Sequence, residues 1–89
     1  MARRQKRPAL QMSIDMDSPM WTLGTINDYA YLMKHYEECM ESGIENGRVT
    51  FLPIRKGGIQ LYNYSQGLDF DKLDMDGKKV YARLLKLFN

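Results

Sequence analysis

RVTFLPIRKGGIQLYNYS, residues 48–65, contains two apolar stretches on either side of RKGG. Both stretches are rich in β-branched and aromatic residues, which fit the half-buried surface of a sheet. A short connection with paired glycines is typical of the turn between two antiparallel strands. The segment therefore predicts a β-hairpin with a four-residue loop at RKGG.

The pairing of these two strands decides which side chains share a face. With Ile54 opposite Ile59, the aliphatic residues lie on one face of the hairpin and the aromatic residues on the other. We expect the aliphatic face to pack against helices and the aromatic face to lie outside. The aromatic face then carries three rings: Phe51, Tyr62 and Tyr64.

The three rings have two interpretations. On an exposed face they would contact a partner protein or stack on nucleic-acid bases. Alternatively they complete a second core layer, because aromatic pairs across strands also stabilise sheets. The sequence leaves both interpretations open.

Further elements are predicted on both sides of the hairpin. Residues 11–17 alternate between apolar and polar side chains, which predicts a half-buried strand. Thr25 followed by Asp28 is a weak form of a capping box. Apolar residues then recur at three- and four-residue steps as far as Ile44, which predicts a first helix. A second helix, apolar on one side and basic on the other, is predicted over residues 77–88.

The predicted order is β-α-β-β-α. It corresponds to a small α+β domain whose three-stranded, mainly antiparallel sheet carries two helices on one face. A chain of 89 residues has room for one such domain. We assign residues 11–89 to the domain and residues 1–10 to a flexible basic arm.

Charge is distributed unevenly along the chain. The net charge is +2, but residues 1–11 carry +4, residues 12–46 carry −6 and residues 47–89 carry +4. Such a chain can present opposite potentials on different faces. We expect these potentials to guide its contacts with partners.

The acidic segment predicts one candidate contact patch. Several glutamates fall near the C-terminal end of the predicted first helix, where the helix dipole disfavours negative charge. They either pair with bases of the same chain or form a surface for a basic partner. This partner-binding patch comprises Tyr31, Glu38, Glu41 and Glu45, and the aromatic hairpin face forms the other.

The basic residues predict an alternative, direct contact with nucleic acid. A short cluster of basic residues can bind phosphates, although such clusters are also common in tails that only improve solubility. In that contact, nucleic-acid bases would also stack on the hairpin tyrosines. The candidate residues are Arg3, Arg4, Lys6, Arg7, Arg55 and Lys56.

Motifs that carry chemistry are missing from the sequence. His35 and Cys39 have a spacing that could place two metal ligands together on a helix, but no second histidine or cysteine completes the site. KLDMDGKK lacks the acids that a calcium loop needs at its first and twelfth positions. No phosphate-binding loop, dinucleotide fingerprint or catalytic triad is present. We expect no enzymatic activity, cofactor or metal.

These features favour a small binding protein. We expect it to occupy the surface of a larger protein, as a regulator or inhibitor of nucleic-acid-handling machinery; phages and mobile elements encode small proteins of similar size and charge. The alternatives are a nucleic-acid-binding protein and a homo-oligomeric interaction module. With one cysteine and no apolar run of membrane-spanning length, we expect a cytoplasmic location and no membrane contact.

Overall fold

A computed structural model of the chain describes residues 11–17 and 19–89. This part forms a single antiparallel sheet, with its strands side by side in chain order, followed by one α-helix. The loop between the third and fourth strands contains a 3₁₀ turn, Ile44–Asn46. The elements are β1 (Met12–Asp17), β2 (Trp21–Ile26), β3 (Tyr29–His35), β4 (Val49–Lys56), β5 (Ile59–Ser65), β6 (Leu68–Asp71) and α1 (Met75–Phe88).

The helix covers one face of the sheet, called here the helix face; the opposite face is called the outer face. Side chains alternate between the two faces along each strand. The core lies between α1 and the helix face. It includes Ile26, Tyr29, Tyr31, Met33, Leu52, Ile54 and Tyr62 from the strands and Val80 and Leu84 from α1.

The predicted three-stranded sheet with two helices is wrong. The structure has six strands and one α-helix in its described residues, and the segment predicted as the first helix forms the end of β2, the whole of β3 and the loop that follows. Asn27 has a φ of 54° in the turn between β2 and β3. Asparagine tolerates this left-handed conformation, so Asn27 and Asp28 form a hairpin turn where the prediction had placed the start of a helix.

The hairpin of residues 49–65 is confirmed, but its predicted register is wrong. Gly57 and Gly58 have φ values of 58° and 81° and form a two-residue turn. The register shifts beside Ile54, which pairs with Tyr62 and not with Ile59. A one-residue bulge moves every later side chain to the other face of the sheet. The tyrosines therefore lie on the helix face, contrary to the prediction that they lie outside.

Two other predicted elements are confirmed. The strand over residues 11–17 is β1, and the helix over residues 77–88 is α1, which begins two residues earlier. The segment between the hairpin and α1, for which no element was predicted, contains β6. The predicted basic arm, residues 1–10, lies outside the described residues.

The start of α1 is connected to the sheet by an aspartate. Asp74 is the N-cap, and its carboxylate accepts hydrogen bonds from the backbone N–H of Gly77 (2.7 Å) and from the hydroxyl of Tyr29 (2.6 Å). The first bond satisfies a backbone donor at the helix end, and the second joins the helix to β3. The Tyr29 bond, followed by the Gly77 bond, lowers the pKa of Asp74.

This depressed pKa predicts a pH dependence of stability. An unfolded aspartate titrates near pH 4, so the stabilisation by ionised Asp74 is complete above about pH 5 and is lost as the pH falls through the lower folded pKa. The Asp74→Asn variant retains a capping oxygen but does not titrate. We expect the difference in unfolding free energy between wild type and variant to shrink from pH 6 to pH 3, measured by urea denaturation. A difference that stays constant over this range would contradict the prediction.

Candidate functional site

The outer face of β2, β3 and β4 carries a mainly apolar surface. These strands are neighbours in the sheet, and Leu23 pairs with Leu32 across β2 and β3. The apolar side chains there all keep part of their surface exposed, and Leu23 is 39% exposed. The outward positions of the three strands hold Trp21, Leu23, Thr25, Ala30, Leu32, Lys34, Phe51, Pro53 and Arg55.

A groove crosses the middle of this surface. It is lined by Leu23, Leu32, Pro53 and Arg55, together with parts of β3, and has a volume of about 240 Å³. Pockets for drug-sized ligands usually measure about 300–1,000 Å³. The groove is therefore smaller than a typical pocket for a drug-sized ligand and has the volume of one or two side chains.

An aromatic cluster borders one end of the groove. The rings of Trp21 and Phe51 meet edge to face, with their centroids 6.0 Å apart. The Nζ of Lys34 lies 5.6 Å from the Trp21 ring centroid and 5.4 Å from that of Tyr36. Contact with two ring faces attracts the ammonium group by cation–π interaction. Lys34 is thus a positioned cation beside an apolar surface.

A second cation lies at the other end of the groove. Arg55 pairs with Ala30, which precedes Lys34 by four residues on β3. At about 3.3 Å per residue, the Cα atoms of Lys34 and Arg55 lie about 13 Å apart along the strand direction. The nine outward positions on β2, β3 and β4 contain these two bases and no carboxylate. The surface is therefore apolar at its centre and positive at both ends.

The aromatic residues predicted to bind a partner are divided between the two faces. Only Phe51 lies on the outer face. Tyr31 and Tyr62 are 2% and 3% exposed in the core, so their side chains are not available at the surface. Tyr64 is half-buried on the helix face, where its hydroxyl donates to the backbone oxygen of Ser42 at 3.0 Å.

The predicted acidic residues are exposed, but they do not lie on a helix. Glu38, Glu41 and Glu45 belong to the loop between β3 and β4, and Glu45 has a left-handed φ of 52°. Because no helix ends there, no helix dipole opposes their charge. The structure thus separates these glutamates from Tyr31, which lies in the core.

Of the residues predicted to contact nucleic acid, two lie in the part of the chain that the structure describes. Arg55 and Lys56 are both exposed at the end of β4. Arg55 lies on the outer face, whereas the Nζ of Lys56 lies 5.1 Å from the ring of Tyr29, which belongs to the helix face. The bases of the N-terminal cluster, Arg3, Arg4, Lys6 and Arg7, lie outside the described residues.

The ionisable groups of the core have structural roles. Burial, with the hydrogen bond to Asp74, raises the pKa of Tyr29 to about 12. Burial, with the neighbouring Tyr81, also raises the pKa of Tyr62. Both shifts favour the neutral hydroxyl at physiological pH.

His35 and Cys39, whose spacing is that of two metal ligands on a helix, lie in different environments. The Nε2 of His35 lies 2.8 Å from the Thr22 hydroxyl, and its ring lies 5.3 Å from that of Phe88. Cys39 is exposed in the following loop. Across residues 11–17 and 19–89, no group of three or more histidine, cysteine or acidic side chains is placed to hold a metal ion. In the same part of the chain, no helix has the length and apolar character needed to cross a membrane.

Sequence reasoning missed most of the outer-face surface. Trp21 and Leu23 precede the predicted first helix and were assigned to no strand, and Leu32 and Lys34 fall within that helix. The available signal was the alternation of large apolar residues in WTLGTI before the Asn27–Asp28 turn, which is typical of a strand.

Comparison with known proteins gives one match. A family model described as "Domain of unknown function (DUF7678)" matches residues 20–89, which include β2 through α1 and the whole groove. No curated protein and no solved structure matches the chain. Since the matched residues form most of the sequence, the chain belongs to the DUF7678 family.

Proposed function

We propose that this protein is a non-catalytic binding protein that occupies the surface of a larger protein through its outer sheet face. The observation that carries the proposal is the partly exposed apolar groove with a cation at each end. Exposed apolar patches with a polar rim are typical of interaction sites. Aromatic residues and arginine are also enriched at interfaces.

The small size of the groove supports a protein partner. Side chains of a partner insert into such grooves, and the surrounding sheet provides additional contact area. Of the described residues that line the groove, four are aliphatic (Leu23, Ala30, Leu32 and Pro53), the others are Tyr31 and Arg55, and none is a serine, threonine, cysteine, histidine or carboxylate residue. Its chemistry is therefore that of binding.

Direct nucleic-acid binding is the second candidate function. The observation that favours it is the combination of Trp21, Phe51 and Lys34 on one face, since nucleic-acid bases stack on aromatic rings beside cationic side chains. The exposed bases Lys79, Arg83 and Lys86 on α1 provide further positive charge. The groove is lined mainly by aliphatic side chains, which offer less to a nucleic-acid base than to an apolar side chain, so we place this candidate second.

The biological setting remains part of the proposal. A cytoplasmic location is supported by the lone, exposed cysteine, because proteins of reducing compartments keep their thiols free. The nucleic-acid-handling nature of the partner is supported by the charge separation of the sequence. Both statements stay predictions until the partner is known.

The proposed function is tested by affinity capture from lysate of cells that express the protein, with and without nuclease, followed by mass spectrometry. The test variant is Leu23→Asp, which places a charge in the groove at a side chain that is already 39% exposed. The matched control is Leu87→Asp, the same change on α1 at a side chain that is 47% exposed. We expect wild type and control to retain a stoichiometric protein partner after nuclease treatment, and Leu23→Asp to lose it.

Two outcomes would overturn the proposal. Recovery that disappears with nuclease would mean that the contact is made through nucleic acid, as in the second candidate function. A partner that Leu23→Asp binds as well as wild type would place the contact elsewhere, and charge reversal of Glu38 and Glu41 would then test the acidic loop.

A further inference from the structure

We propose that the outer face recognises an extended acidic segment of its partner, in which one apolar side chain is flanked by carboxylates two residues before and two residues after it. This inference rests on the proposed function and adds the chemistry of the partner. It is carried by the order of charges and apolar side chains along β2, β3 and β4.

The spacing of the two cations sets the spacing of the carboxylates. The Cα atoms of Lys34 and Arg55 lie about 13 Å apart along the strand direction, with Leu32 and Pro53 between them, and we take this backbone spacing as the spacing of the two cations. In an extended chain, residues i, i+2 and i+4 point to the same side and span about 13 Å. A segment with acids at i and i+4 and an apolar residue at i+2 therefore matches both cations and the groove at once.

The positioned state of Lys34 favours recognition of a carboxylate. Its ammonium group lies near the rings of Trp21 and Tyr36, so less side-chain freedom is lost when an acid binds. Arg55 is exposed, and its guanidinium can hold a carboxylate through two parallel hydrogen bonds. Opposite charges across the contact also select against basic partners.

The same charges disfavour a second copy of this chain as the occupant. In a two-fold symmetric dimer the same surface patch of each copy faces the other. If the two-fold axis passed through the groove, Lys34 and Arg55 of each copy would face the nine outward positions on β2, β3 and β4 of the other copy, which include no carboxylate to compensate their charge. Charge complementarity thus points to an acidic partner of different sequence.

The inference is tested by selecting peptides from a phage-displayed library of random 12-residue sequences on the immobilised full-length protein. The test variant is Lys34→Glu with Arg55→Glu, and the matched control is Lys79→Glu with Arg83→Glu, which changes the charge equally on α1. Lys34→Gln with Arg55→Gln removes the cations without reversing them. Circular dichroism and urea denaturation establish that each variant is folded.

We expect wild type and control to enrich peptides with an apolar residue between acids four positions apart. Synthetic peptides of this pattern should bind the glutamine variant at least about tenfold more weakly than wild type, because two charge-assisted contacts are lost. The glutamate variant should enrich basic peptides in their place. Reversal of the selected charge is a result that general loss of stability does not produce.

The outcomes separate this inference from the proposed function. Enrichment of peptides without acids, or of the same acidic peptides by the glutamate variant, overturns the inference. If no peptide is enriched while Leu23→Asp still abolishes capture of a protein partner, the proposed function stands and the acidic segment is wrong. A third outcome would overturn both the inference and the proposed function. In it, no peptide is enriched, wild type binds a fluorescent 12-nucleotide oligothymidylate, and the glutamate and glutamine variants of Lys34 and Arg55 do not.

Discussion

The Tyr62→Ala variant is expected to lose about 3–5 kcal/mol of unfolding free energy, the cost typical of truncating a buried aromatic side chain. Tyr62 is 3% exposed beneath α1, and its ring centroid lies 4.9 Å from that of Tyr81. Truncation removes this contact and leaves a cavity between β5 and the helix. An 89-residue domain has a total stability of roughly 4–13 kcal/mol, so the loss is a large part of it.

The measurement is urea denaturation followed by circular dichroism, with Ile59→Ala as the control. Ile59 lies on the same strand but is 65% exposed, so we expect its truncation to change stability by less than about 0.5 kcal/mol. Tyr62→Phe keeps the ring and should lose only about 1 kcal/mol. A Tyr62→Ala variant as stable as Ile59→Ala would mean that the tyrosine is at the surface, as its sequence pattern had suggested.

The Leu84→Ala variant should lose about 2–5 kcal/mol, the range found for leucine truncation in protein cores. Leu84 is fully buried and belongs to the core cluster between α1 and the sheet. α1 is the one α-helix among the described residues, so a cavity beneath it weakens the attachment of the entire helix. We expect the variant to unfold at a lower urea concentration than wild type with a similar slope.

Leu87→Ala provides the matched control, since it makes the same change three residues later on the same helix. Leu87 is 47% exposed, and we expect a loss below about 1 kcal/mol. Alanine has the higher helix propensity, so neither variant weakens the helix itself. Equal losses at the two positions would contradict the assignment of Leu84 to the face that packs on the sheet.

The errors in the fold prediction have identifiable causes. YAYLM, residues 29–33, is apolar at every position, so it satisfies a helical period and a strand period equally well. It is a strand because both of its faces are used, Tyr31 in the core and Leu32 in the groove. Tyr62 and Tyr64 were assigned to the wrong face for a different reason, a single register shift in the hairpin beside Ile54.

The candidate site was harder to predict than the fold because its residues come from three strands. Trp21, Leu32 and Pro53 are distant in sequence and become neighbours only through the pairing of β2, β3 and β4. Phe51 is the one predicted partner contact that lies on this face. Nothing local to any of these residues distinguishes a groove wall from a core side chain.

The sequence by itself determined β1, the hairpin of residues 49–65 and α1. Their signals are local: alternation, a Gly–Gly turn, and an apolar stripe on a basic helix. Only the tertiary structure decided which face of each strand is buried, because that depends on register across strands and on where α1 packs. The same packing buried Tyr62 and left Leu23, Lys34 and Arg55 on the surface where we propose that a partner binds.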